Sequence, residues 1–255
     1  MDLPIFPDLR GASVFITGGG SGIGAALTEG FLRQGARVAF CQRRDATEFC
    51  DRMERVTGNR PLFLPCDITD TGALEAALDT VARAQGPVTV LVNNAADDQR
   101  HSTLEVDESF FDRSIAINLK AYFFAAKAVI PGMKSAGGGA IINFSSISYM
   151  MGNTGYPIYA ASNSAINGLT RSLAREFGPD RIRVNALAPG WVQTQKQKDH
   201  WVTPEGLAAH LARQCLQDPL EPADIVGGCL FLASHASKAM TGQALVIDGG
   251  VVVTG

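Results

Sequence analysis

With 255 residues, 46% of them hydrophobic and 18% charged, the chain is long enough to bury a sizeable core and too apolar to stay disordered. A formal net charge of -3 leaves no basic surplus to neutralise phosphate backbones, which excludes nucleic acid as a partner. No apolar run approaches the roughly 20 residues of a spanning helix. Met1 to Pro4 lacks a charged segment followed by an apolar one, so a cytoplasmic protein with no membrane partner is expected.

The first apolar run, Ser13–Thr17, reads as a strand that leads into a glycine-rich turn. Gly22 to Gln34 then places Ile23, Ala26, Leu27, Gly30 and Phe31 on one helical stripe, with Gly35 as its terminator. Further strands are expected at Arg37–Cys41, Pro61–Leu64, Val88–Asn93, Gly139–Phe144, Arg181–Leu187 and Ala244–Ile247. Most are rich in Val, Ile, Leu and Phe, as strands buried on both faces should be. Asp107 to Ser135 and Ile158 to Phe177 read as two long helices, the first ended or bent by Pro131, with Gly137-Gly138-Gly139 as a flexible link after it. This alternation, without linker or repeat, predicts one α/β domain over residues 1–255: a doubly wound parallel sheet of about seven strands with helices on both faces. The five cysteines (Cys41, Cys50, Cys66, Cys215, Cys229) are scattered and form no Cys-x-x-Cys pair, which reads as reduced structural thiols. His200, His210 and His235 show no ligand spacing, so no metal is expected.

Thr17-Gly18-Gly19-Gly20-Ser21-Gly22-Ile23-Gly24 lies where the first strand turns into the first helix, where an exposed helix N-terminus can hold a pyrophosphate. Side chains at these glycines would block the approach of backbone to phosphate or of helix to strand, so a dinucleotide is implied. At the end of the second strand, where a carboxylate would bond the ribose 2′-hydroxyl, the sequence is Cys41-Gln42-Arg43-Arg44. No carboxylate repels a 2′-phosphate there and two guanidiniums can bind one, so NADP is expected over NAD, with Arg43 as the first contact. After the third strand, Asp67 in Cys66-Asp67-Ile68-Thr69 suits either a hydrogen bond to adenine or a helix N-cap.

These motifs are joined by Asn93-Asn94-Ala95-Ala96, Asn118, Ser146 thirteen residues before Tyr159, Pro189-Gly190-Trp191-Val192-Gln193-Thr194 and Asp248-Gly249-Gly250. Together they resemble the compact branch of the short-chain dehydrogenase/reductase family over essentially the whole chain. The resemblance implies a three-layer Rossmann fold and an NAD(P)-dependent oxidoreductase. It places cofactor contacts in the glycine loop, at Gln42, Arg43 and Arg44, at Asp67 and Ile68, at Asn94, Ala95 and Ala96, and at Pro189, Gly190, Val192 and Thr194. It also implies that Tyr159 exchanges a proton with the reacting oxygen, that Ser146 holds that oxygen, and that Asn118 anchors a water in a proton relay. In the family pattern a lysine four residues after the tyrosine holds the nicotinamide ribose and lowers the phenol pKa. This chain has Asn163 there. Free tyrosine titrates near ~10, each unit toward neutrality takes about 1.36 kcal/mol, and a neutral amide supplies no charge for it. Asn163 can still bond a ribose hydroxyl, so the expectation is a protein that binds cofactor and transfers protons poorly.

Two segments, Asn94 to His101 and Trp201 to Gly206 with Gln214-Cys215-Leu216, resemble the aldose 1-dehydrogenases of this family, such as those acting on D-xylose, L-arabinose or L-fucose. A sugar needs several donors and acceptors around one apolar face. Asp97, Arg100, His101, Ser148, Asn153, Trp191 and Gln193, with Ser146 and Tyr159, are the candidates to supply them. Gln193 to Leu216 reads as a movable substrate lid. The expected reaction oxidises C1 of an aldose to an aldonolactone. Reduction of a small ketone or 3-oxoacyl group is the alternative within the enzyme class, and a dinucleotide-binding protein with little turnover is the alternative outside it. The family also implies a homotetramer, for which Phe123, Phe124, Val129 and Leu169 offer apolar surface.

Overall fold

The computed structural model describes residues 3–253; Met1 and Asp2, part of the segment read above for a targeting signal, lie outside them. Strand and helix alternate as β1 (Ser13–Thr17), α1 (Gly22–Arg33), β2 (Arg37–Gln42), α2 (Thr47–Thr57), β3 (Leu62–Pro65), α3 (Thr71–Gln85) and β4 (Val90–Asn93). Next come α4 (Glu108–Ile115), a π turn (Ala116–Lys120), α5 (Ala121–Ser135), β5 (Gly139–Phe144), α6 (Ser148–Met151) and α7 (Pro157–Phe177). The described chain closes with β6 (Ile182–Pro189), α8 (Gln195–His200), α9 (Pro204–Leu211), α10 (Pro222–Ala233) and β7 (Ala244–Ile247). Among the described residues no helix is long and apolar enough to cross a membrane.

The seven strands form one sheet in the order β3-β2-β1-β4-β5-β6-β7, and every pairing is parallel. Each parallel connection must cross over a face of the sheet, which explains the helix between successive strands. On one face Leu27 and Phe31 of α1, Phe49 and Met53 of α2 and Ile225 and Leu230 of α10 form a core. On the other, Leu74 and Leu78 of α3, Ala125 and Met133 of α5 and Leu173 of α7 form a second. Central strands β1 and β4 are buried throughout, as their apolar runs predict, whereas edge strands β3 and β7 are partly exposed.

The predicted helix from Asp107 to Ser135 is interrupted, and not at Pro131. Asp107 stays outside it as the N-cap, accepting from the Phe110 N–H at 2.7 Å. The break is the π turn, which contains Asn118. Pro131 removes only its own N–H from the ladder, and α5 runs on to Ser135 because Val129, Ile130 and Met133 are packed in the core. Val129 is therefore core rather than assembly surface, while Phe123 is half exposed beside Phe124. Gly139 opens β5 instead of linking to it, and the turn before it is made by Gly137 and Gly138, both at positive φ.

Sheet order places the site. The chain leaves β1 toward β2 on one side and reaches β4 on the other, so a crevice opens at their C-terminal ends. A buried polar chain holds α7 over that crevice: Asn93 Nδ2 donates to Asn143 Oδ1 at 2.9 Å, and Asn143 Nδ2 donates to Thr170 Oγ1 at 3.0 Å. At the opposite end Arg183 of β6 caps α10, donating to the carbonyls of Leu232 (2.8 Å), Ala233 (3.2 Å) and Ser234 (3.1 Å). Arg183→Met should therefore destabilise the fold by about 2–3 kcal/mol, lowering Tm by roughly 5–10 °C in a thermal melt, because the Ala233 carbonyl loses its donor and those of Leu232 and Ser234, which keep Ser237, lose a charged one.

Candidate active site

A cleft of about 1430 Å³ runs along the C-terminal ends of the central strands, large enough for a dinucleotide with a small molecule beside it. Its first wall is the turn from β1 to α1. Gly18 N–H donates to the Cys41 carbonyl at 2.7 Å, and Thr28 Oγ1 donates to the Gly19 carbonyl at 2.8 Å, which closes the turn against β2 and α1. Asn94 Nδ2 donates to the carbonyls of Thr17 (3.0 Å) and Gly18 (3.3 Å), pinning the turn to the end of β4. Ser21, the N-cap of α1, makes no side-chain cap, so the first amides of α1 stay open toward the cleft. A Cβ on Gly18 would meet Ala95 at 3.1 Å, and one on Gly24 would run into the Gly18 carbonyl oxygen.

The sites for a dinucleotide fit this wall. Gly18, Gly20, Ser21, Gly22, Ile23 and Gly24 all border the cleft. At the β2 end Gln42 occupies the place of a ribose-binding acid. Its Oε1 accepts from the Gly20 N–H at 3.1 Å and its Nε2 donates to the Arg44 carbonyl at 3.0 Å. Arg43 and Arg44 follow on the rim, the Arg43 guanidinium 3.9 Å from the Asp67 carboxylate. The one acid of this rim segment, Asp45, accepts from Thr47 Oγ1 at 2.8 Å. Asp67 is not a helix N-cap: it accepts from Thr69 N–H at 3.0 Å and Thr69 Oγ1 at 2.8 Å, and the cap of α3 is Asp70. Asp67 and Ile68 line the cleft beside Arg43, Asn94 to Ala96 line its middle, and Pro189, Gly190, Val192 and Thr194 line its far side.

At that far side the reactive groups converge. Ser146 leaves the end of β5, and Tyr159 with Asn163 rise one turn apart on the cleft face of α7. Burial pushes the Tyr159 phenol up to about 12; the Asp98 carboxylate adds to this, and Ser146 and Asn163 pull less strongly the other way. Asn163, almost fully buried, donates its Nδ2 to the Tyr159 carbonyl at 2.9 Å, while its own carbonyl accepts from Ser145 Oγ and Asn167 Nδ2, both at 2.9 Å. At a pKa near 12, roughly one phenol in 10⁵ is ionised at pH 7. The phenol therefore stays protonated near neutral pH.

Of the other predicted residues, Asp97, Arg100, Ser148, Asn153 and Trp191 border the cleft. Three do not. His101 packs on Phe110 with ring centroids 4.9 Å apart, and its Nε2 accepts from the Ile158 N–H, so it supports the start of α7. Gln193 is buried, its Nε2 folded back on the Trp191 carbonyl at 3.2 Å. Asn118 grips the loop after β4: its Oδ1 accepts from the Asp97 N–H at 2.8 Å and its Nδ2 donates to the Asp97 carbonyl at 3.0 Å. Its side chain therefore sets the position of Asp97 and Asp98. Asp98, Lys196 and Gln197 line the cleft and escaped sequence reasoning, since Lys196 and Asp98 meet across 98 positions and each reads alone as a solvated charge.

A family model described as enoyl-(acyl carrier protein) reductase matches residues 18–252. The chain belongs to the short-chain dehydrogenase/reductase family. A protein of Rhizobium meliloti strain 1021 assigned as a galactose dehydrogenase is 48% identical, the match covering 96% of this chain and 97% of the relative. The D-xylose 1-dehydrogenase of Caulobacter vibrioides is 43% identical over 98% and 99%. A solved structure from Sinorhizobium meliloti 1021, assigned as a short-chain alcohol dehydrogenase, is 33% identical with a TM-score of 0.92, covering 97% of this chain and 98% of that one. This short-chain dehydrogenase is therefore an NAD(P)-dependent oxidoreductase acting on CH–OH groups, and the nicotinamide supplies the hydride chemistry when bound.

Proposed function

We propose that this short-chain dehydrogenase oxidises C1 of a cyclic aldose to the aldonolactone with NADP as hydride acceptor, at a rate held down by Asn163. The relatives that match nearly the whole chain carry the substrate half of this reading, being named for galactose and D-xylose. The cleft wall beside Tyr159 suits a neutral polyol. Ser146 and Asn153 present polar groups, Ser148 Oγ is buried with no hydrogen-bond partner, and Trp191 offers an apolar face. In the forward step Ser146 holds the C1 hydroxyl and Tyr159, as phenolate, accepts its proton. The preference for NADP is supported by Arg43, Arg44 and the neutral Gln42 at the β2 end.

A panel of aldoses tested with NADP and with NAD checks both halves. Galactose or xylose should be oxidised with lactone as product, and NADP should give the higher kcat/KM. Arg43→Ala should raise KM for NADP about tenfold or more while leaving NAD nearly unchanged, because a charge-assisted bond to the 2′-phosphate is lost. Faster reduction of a 3-oxoacyl thioester than oxidation of any aldose would overturn the substrate, and tight NADP binding without turnover at any pH would favour a binding protein.

A further inference from the structure

We propose that Lys196 is a positioning residue that couples closure of the segment carrying α8 and α9 to proton transfer at Tyr159, by neutralising the Asp98 carboxylate in the cleft that Tyr159 also lines. The proposal rests on the reading of Tyr159 as the base of an aldose oxidation. Lys196 Nζ donates to Asp98 Oδ1 at 2.7 Å and to Asp97 Oδ1 at 3.4 Å. The other Asp98 oxygen accepts from Gln197 Nε2 at 2.6 Å, and Gln197 Oε1 in turn accepts from Trp191 Nε1 at 2.8 Å. Two adjacent side chains of α8 thus engage both oxygens of one carboxylate on the opposite wall. Arg100 adds a second clasp, its guanidinium 4.0 Å above the Tyr156 ring and 5.6 Å from that of Trp201.

The electrostatics follow from where this carboxylate sits. Burial works against ionising Asp98, yet Lys196 and the Gln197 amide outweigh it and hold the carboxyl below its ordinary range. Lys196 is likewise desolvated, and its bonds to Asp98 and Asp97 raise it above the usual lysine value. Both members are therefore charged near neutral pH. Paired, they present little net charge to the phenol; with α8 swung away, Asp98 alone opposes the phenolate. Other titratable or charged groups face the same space: Tyr122 of α5 and Tyr156 at the foot of α7, with Arg100 stacked on the latter. Asp199 and His200 of α8 and His210 and Arg213 of the α9 region border the cleft further out. Among them Asp98 is the carboxylate whose charge acts on the Tyr159 phenol. Closure would thus switch on a base that lacks its neighbouring lysine.

The pH dependence of kcat/KM tests this in four forms: the native chain, Lys196→Met, Lys196→Arg and Asp98→Asn, with the double variant Lys196→Met/Asp98→Asn. Lys196→Met should move the rising limb about one pH unit to higher pH, the scale of one nearby charge on a partly buried pair. Lys196→Arg should leave it in place, Asp98→Asn should move it lower, and the double variant, which lacks both charges, should return it close to the native position. An unmoved limb in Lys196→Met, or a double variant displaced as far as Lys196→Met alone, overturns the proposal. A tyrosinate absorbance titration in the Asn163→Lys background, with Tyr159→Phe as blank, reads the same shift without substrate. If no aldose is oxidised but that shift appears, the substrate reading fails and the coupling stands; if aldoses turn over and neither readout shifts, the reverse holds.

Discussion

Asn163→Lys should raise turnover near pH 7 by roughly 10–10³-fold and leave NADP affinity within a few-fold. The phenol of Tyr159 is pushed up to about 12, chiefly by burial, and each unit of that elevation costs tenfold in phenolate. An ammonium group within about 4–6 Å is worth 1–3 units, and position 163 places it one helical turn from the tyrosine on the wall that both residues share. The sign is fixed by the role of the group. Because the base acts as phenolate, the native rate should climb about tenfold per pH unit from neutrality toward the phenol pKa, and a pKa lowered by about 1–3 units moves the plateau down the pH scale by the same amount. The substitution gives up the 2.9 Å bond from Asn163 Nδ2 to the Tyr159 carbonyl, a loss of about 1 kcal/mol in stability and far less than the kinetic gain. Overlapping pH–rate profiles for the native chain and Asn163→Lys would sink the idea that position 163 limits the reaction.

The layout of the sheet was legible because buried parallel strands advertise themselves as short apolar runs, and the bounds of β1, β5 and β7 agree with those runs to the residue. The glycine loop was legible for a related reason: close approach leaves no choice of residue, as the contacts awaiting a Cβ on Gly18 and Gly24 show. What the sequence hid are features that local pattern does not encode. Apolar periodicity runs straight through Ala116–Lys120, so the π turn that lets Asn118 reach the Asp97 backbone left no trace in it. Pro131 carried a strong local signal that tertiary packing of its neighbours overrode. Gln193 belongs to a cleft-lining motif yet turns its amide onto the Trp191 carbonyl, and the pairing of Asp98 with Lys196 exists only once the β4 loop and α8 face each other.

The same substitution in two helices should give opposite signs. Alanine is favoured over glycine inside a helix by roughly 0.5–1 kcal/mol, so Gly168→Ala in α7, where nothing stands within 4 Å of the new methyl, should stabilise the protein by about that amount. Gly24 lies in the first turn of α1 and meets the Gly18 carbonyl oxygen, with the Asn94 amide nitrogen 2.7 Å and the Gly18 carbonyl carbon 2.9 Å from a Cβ placed there. Two of those atoms are backbone of the phosphate loop and the third is the side chain that pins the loop to β4, so none can yield cheaply. Overpacking of this kind costs about 1–3 kcal/mol, which outweighs the propensity gain and leaves Gly24→Ala less stable than the native chain. The larger effect falls on cofactor binding, because relief of the clash shifts the loop off the open amides of α1 that a pyrophosphate would meet. NADP affinity should drop at least about 100-fold, equivalent to roughly 2.7 kcal/mol. Thermal melts with NADP titrations on both variants read the two effects separately, and unaltered NADP affinity in Gly24→Ala would show that the contact between Gly18 and Gly24 does not shape the phosphate site.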